Sequence, residues 1–230
     1  MDELALFAGA GGGLLASRLL GWRTRCAVEL DPYARRVLLA RQRDGCLERF
    51  PIWDDVSTFD GRPWRGILRE GVISGGFPCQ AHSTAARGRN NAPDLWPEML
   101  RVVSEVEPRF VFAENVQRKP IRRAAEDLLA LGYQRVSIAR VGASSVGAPH
   151  DRPRWWLLAD ANREVECLRS VDAKMARLRD ASKALWTEPG PEVLGMDDGL
   201  AGPVVRRRAI GNGQVPIVAA LAWNILRGTT

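Results

Sequence analysis

Cys79 stands in Gly-Gly-Phe-Pro-Cys-Gln, residues 75–80, behind a short apolar run, two glycines and a proline. Flexible glycines followed by a rigid ring stop a strand abruptly and present the next side chain, here a thiol. A cysteine taken alone is more often a small buried hydrophobe than a nucleophile. Glu114, which ends the apolar run of "FVFAEN", changes that weighing. A buried carboxylate without a partner is costly, so an acid at a strand end points to a crevice where a ligand meets it. A thiol and a carboxyl at the ends of neighbouring strands suit covalent catalysis. A second cluster is "LFAGAGGG", where Gly9, Gly11 and Gly12 let the backbone turn tightly and approach a ligand. Glu29 follows about 20 residues later, a spacing from which a carboxylate takes ribose hydroxyls. Leu14 occupies the place of the third glycine of a dinucleotide fingerprint, which disfavours NAD and FAD. A glycine turn of purely structural purpose is the alternative.

These residues need elements to carry them. Leu4–Phe7, Cys26–Val28, Val72–Ile73, Phe110–Ala113, Val136–Val141 and Trp155–Ala159 are apolar runs of strand length. Between them, "LLASRLL", "PYARRVLLARQ", "WPEMLRVVSEV" and "IRRAAEDLLALG" repeat apolar residues at helical spacing, the last stopping at Gly132. Alternation of this kind predicts an α/β, doubly wound domain with a mostly parallel sheet over residues 1–160. Residues 161–205 mix charges with glycine and proline and read as a small insertion. Residues 206–230 regain helical period in "VPIVAALAWNILRG", with Pro216 in its first turn, and should return to the core.

Composition narrows the classes. With 230 residues, 46% hydrophobic, the chain can bury a proper core. No apolar run is long enough to cross a bilayer and the N-terminus lacks a signal-peptide pattern, so a cytoplasmic protein is expected. Four scattered cysteines and two histidines complete no zinc pattern, so neither metal nor disulfide is expected. The net charge is +6, and all but three of the 33 basic residues are arginine. That permits a nucleic-acid partner, while a compositional preference for arginine explains it equally well.

"LFAGAGGG", "VELDPYA", "GGFPCQAHS", "ENV", "GAPHDRPRWW" and "AIGNGQVP" together resemble the DNA cytosine-5 methyltransferase family in order and approximate spacing. The resemblance covers residues 4–159 and about 206–226, and it rests on the six segments jointly. It implies S-adenosylmethionine as cofactor, and a class I methyltransferase fold whose parallel sheet ends in one antiparallel strand. Position by position it implies a cofactor site of Phe7, Gly9, Ala10, Gly12, Glu29, Leu30, Asp55, Pro78 and Asn212, with Asp54 as the register alternative to Asp55 and a turn or helix cap as the rival role for that aspartate. It makes Cys79 the nucleophile on cytosine C6, Glu114 the acid at N3, and Arg152 and Arg154 the residues that offset charge near O2 and the sulfur. Gln80, Ser83, Arg87, Arg89 and Asn115 fall on the substrate side, Asn115 also fixing a turn. Residues 81–91 would form a loop closing over a flipped base.

The resemblance further implies a monomer acting on double-stranded DNA, in a restriction-modification or bacteriophage setting, with residues 161–205 as a small target-recognition segment. A tRNA or free-nucleotide cytosine methyltransferase, or a catalytically silent DNA-binding subunit, would keep the same motifs. His150, Phe77, Gly71 and Ala5 depart from the commonest family residues, and none is a group the chemistry requires.

Overall fold

A computed structural model of the chain describes residues 1–78, 94–162 and 213–228. Among these residues seven strands, β1 (Asp2–Leu6), β2 (Arg23–Val28), β3 (Ile52–Trp53), β4 (Val72–Gly76), β5 (Phe110–Asn115), β6 (Arg135–Val141) and β7 (Arg154–Asp160), form one sheet. Their order is β3-β2-β1-β4-β5-β7-β6. Pairs from β3 to β5 are parallel, whereas β7 runs antiparallel to both β5 and β6. The antiparallel strand is thus last in sequence among the described strands but second from the edge in space, because β6 closes that side. Two-residue β3 was absent from the expected strands; so short a run carries no periodicity.

Among the described residues five helices cover the sheet: α1 (Gly12–Leu20), α2 (Pro32–Arg43), α3 (Trp96–Val106), α4 (Arg118–Ala130) and α5 (Pro216–Arg227). Local signals set their ends. The Asp31 carboxylate accepts hydrogen bonds from the Tyr33 and Ala34 amides at the start of α2, ahead of Pro32. Left-handed Gly21 and Gly228 close α1 and α5.

Strand alternation sorts side chains between two layers. Ile73, Val111 and Ala113 meet α3 and α4, with Met99, Val103, Ile121 and Leu128. Val72, Phe110 and Phe112 meet α1 and α5 on the opposite face, with Ala16, Val218, Leu221 and Trp223. Phe112 stacks on Trp156 and sets its edge against Trp223, with ring centres 5.2 and 5.4 Å away. Each such pair contributes about 0.5–1.5 kcal/mol beyond the area it buries. The same alternation decides the site: Glu114 continues the Phe110–Phe112 face and Asn115 the other.

Candidate active site

Strand order, not direction, reverses between the parallel strands β1 and β4: the chain builds outward from β1 to β2 and β3 on one side and from β4 to β5 on the other, so their carboxyl ends open a crevice. Phe7, Gly9, Gly75, Gly76, Glu114 and Gln214 are among its lining residues. Phe7 and Gly9 both take left-handed backbone, at φ 55°. Gly9 does so freely, whereas Phe7 is one of three described non-glycine residues at positive φ and Arg152, at 37°, is another. Strained backbone tends to collect at ligand sites, and these two flank this one.

Register carries Glu114 into the crevice. β4 and β5 pair so that Gly76 lies opposite Glu114, and a Cβ on Gly76 would fall 2.6 Å from Glu114 Oε2. Glu114 is 7% exposed. Burial pushes its carboxyl up from an ordinary 4.5 to about 6, against the pull of Arg154, a hydrogen bond from Gln214, and Arg152. Arg154 Nε lies 3.0 Å from Glu114 Oε1. The angle is wrong for a hydrogen bond, and Oε1 is one of two buried side-chain polar atoms left without one among the described residues. The Arg152 guanidinium donates to the Gly213 carbonyl at 2.8 Å, tying the arginine segment to the one before α5.

Cys79, Gln80, Ser83, Arg87, Arg89 and Asn212 lie outside the described residues, as does nearly all of 161–205. The approach to Cys79 is described. Asn115 Nδ2 donates to the Phe77 carbonyl at 2.9 Å, and its Oδ1 accepts from the Gln117 amide at 3.1 Å. Asn115, expected both on the substrate side and as a turn-fixing residue, has both ends of its amide engaged by backbone. The Pro78 carbonyl accepts from the Leu95 amide at 3.2 Å.

On the cofactor side the Glu29 carboxylate accepts from the Gly9 amide at 2.6 Å and the Asp31 amide at 2.7 Å, one bond to each oxygen. Burial raises its pKa. Each oxygen keeps a lone pair and can accept one further hydrogen bond. Leu30 is 62% exposed just beyond. Asp55 caps the single turn Val56–Thr58, its Oδ1 accepting from the Ser57 amide at 2.9 Å. The capping role is therefore present, and this hydrogen bond holds its carboxyl below the usual range. Asp54 is exposed and accepts from the Asp55 amide. Glu29, Leu30 and Asp55 stand at the ends of β2 and β3, outside the enclosed part of the crevice. Ala10 lies in the turn before α1. Gly12 answers to packing, since a Cβ there would fall 2.2 Å from the Gln214 carbonyl oxygen.

Two contributors were missed. Gln214 touches Glu114 from a segment whose expected contribution was Asn212. Glu3 is fully buried in β1 and accepts from the hydroxyls of Ser17, Thr24 and Ser74 at 2.6, 2.8 and 2.6 Å, tying α1, β2 and β4 together beneath the crevice.

A family model described as C-5 cytosine-specific DNA methylase matches residues 1–188. The Type II methyltransferase M.NgoMIV of Neisseria gonorrhoeae is 32% identical over 117 residues, covering 50% of this chain and 35% of that protein. M1.HphI of Haemophilus parahaemolyticus, another Type II methyltransferase, is 32% identical over 169 residues, 67% of this chain and 44% of that one. The chain spans less than half the length of the curated relatives it matches. Among solved structures, a prophage-encoded E. coli protein assigned as a DNA modification methyltransferase superposes with a TM-score of 0.54 at 29% identity, over 70% of this chain and 46% of that one. The S. pombe Dnmt2 methyltransferase, at 23% identity and a TM-score of 0.55 over 72% of this chain and 52% of that one, shares the fold.

Proposed function

From the premise that this chain belongs to the C-5 cytosine-specific DNA methylase family, we propose that it transfers a methyl group from S-adenosylmethionine to C5 of cytosine in duplex DNA. When bound, the cofactor supplies an electrophilic methyl group. Glu29 would receive its ribose hydroxyls, Leu30 the face of its adenine, Asp55 through its remaining oxygen the adenine amino group, and the turn from Phe7 to Gly12 its methionine end.

Cytosine C5 is a poor nucleophile, so the protein's task is to make the ring electron-rich. The Cys79 thiolate adds to C6, and the pair of the 5,6 double bond becomes available at C5. Negative charge then builds toward N3, where Glu114 in its carboxylic-acid form donates a proton. Arg154 faces the carboxylate that this leaves, and Arg152 adds positive charge beside it. After methylation, loss of the C5 proton to solvent and expulsion of Cys79 as thiolate restore the ring, with the N3 proton returning to Glu114. The target base must leave the duplex stack for any of this to occur.

The observation that carries the reading is Glu114 itself: a carboxyl buried at a strand end and lining the crevice, raised to about 6, whose Oε1 is ion-paired with Arg154 but has no hydrogen bond. Such a group is held partly neutral near physiological pH, as an N3 acid requires. Incubation with methyl-tritiated S-adenosylmethionine and, separately, duplex DNA, tRNA and dCMP tests it. Label in duplex DNA is expected. Label in tRNA or dCMP alone would overturn the choice of substrate, and label in none of the three would overturn the activity.

A further inference from the structure

Four basic residues crowd the first six positions of α4: Arg118, Lys119, Arg122 and Arg123, all exposed. For the helix alone this arrangement is unfavourable. The first turn of α4 contains no acidic residue, so cations stand at the positive end of the helix dipole. Arg118 with Arg122, and Lys119 with Arg123, are also like-charge pairs one turn apart, which repel. Intramolecular pairing relieves only part of it. Arg123 Nη1 meets Asp94 at 2.7 Å, whereas Arg122 reaches Glu126 only at 3.9 Å with both side chains more than 60% exposed, and Lys119 has no ion-pair partner among the described residues.

This patch adjoins the crevice. α4 begins three residues after Asn115, at the carboxyl end of β5. The Arg118 guanidinium sits 5.2 Å over the ring of Trp155, which pairs with Asn115 across the sheet and precedes the Glu114 partner on β7. A nucleotide with its base at Glu114 would therefore have neighbouring phosphates within reach of this helix. We propose that the exposed basic face at the start of α4, centred on Arg118, Lys119 and Arg122, is a sequence-independent docking surface for the phosphate backbone of the substrate DNA. The proposal rests on duplex DNA being the substrate. It also assigns to the catalytic domain part of the affinity that a small recognition segment alone would have to supply. Phosphate contacts of this kind position the duplex without reading its sequence.

Lys119→Gln with Arg122→Gln tests it in the full chain. Parent and variant are titrated with a labelled duplex across a salt series, with S-adenosylmethionine affinity and thermal melting measured in parallel. The variant should bind duplex roughly tenfold or more weakly at low salt, and its plot of log affinity against log salt should be shallower by about two, one unit for each lost phosphate contact. Cofactor affinity should not change. The melting temperature should hold or rise, because the substitutions remove repulsion. Parent and variant binding duplex with the same affinity and slope would overturn the docking surface while leaving the substrate assignment intact. A variant that melts lower and loses cofactor as well as DNA would mean that the patch serves folding. A parent that binds tRNA and not duplex would overturn the proposal together with the substrate reading beneath it.

Discussion

Glu114 illustrates what one carboxyl gains from its place. Its folded pKa of about 6 lies above the ordinary 4.5, so the native state holds a proton that the unfolded chain releases. The stability this gives is present in full below about pH 4.5 and is lost as pH rises through 6. The shift corresponds to about 2 kcal/mol, to order of magnitude. Glu114→Gln, which cannot ionise, should therefore be less pH-sensitive, and the parent should lose about that much relative to it between pH 4.5 and pH 8 in denaturant titrations. A stability difference flat across that range would mean that Glu114 is not perturbed. In turnover the variant should be slower at every pH, since an amide cannot protonate N3. Asn115→Ala leaves the buried Phe77 carbonyl without its donor, which costs about 1–3 kcal/mol and loosens the approach to Cys79. Turnover should fall while cofactor affinity, read by calorimetry, stays near that of the parent. Glu114 and Asn115 were legible because an acid and an amide end a strand of apolar residues. Glu3 was not: its three hydroxyl donors come from 14, 21 and 71 residues away, and no local pattern announces them.

At the scale of elements, α1 and the segment before α5 meet at Gly12, where bare backbone lets the Gln214 carbonyl approach. An alanine there must displace backbone rather than a flexible side chain, at a cost of about 1–3 kcal/mol. Gly12→Ala should lower the melting temperature and, because Gln214 hydrogen-bonds Glu114, should also slow methyl transfer; an unchanged melting temperature would show that the two segments are not in contact. Helices α2, α3 and α5 were readable because helical period agreed with proline in the first turn, joined by an aspartate cap at α2 and a closing glycine at α5. β3 was too short to read, and the position of β7 between β5 and β6 depends on long-range pairing that a linear pattern does not encode. The joining of Gln214 and Arg152 to one carboxyl also arises only in the folded chain, since about 55 residues separate the end of β7 from α5.

For the whole molecule, the sheet order, its two helical layers and the crevice at its switch point make a frame in which cofactor and base would meet from different strands. In the proposed mechanism Cys79 adds to cytosine before the methyl group is transferred, and duplex DNA bearing 5-fluorocytosine tests that order. Fluorine cannot leave C5 as a cation, so elimination stalls and the thioether to C6 persists. A denaturing gel should show a shifted protein–DNA band that requires S-adenosylmethionine and is absent for Cys79→Ser. Efficient methylation of ordinary cytosine DNA, with no such band on the fluorinated duplex, would contradict the covalent mechanism.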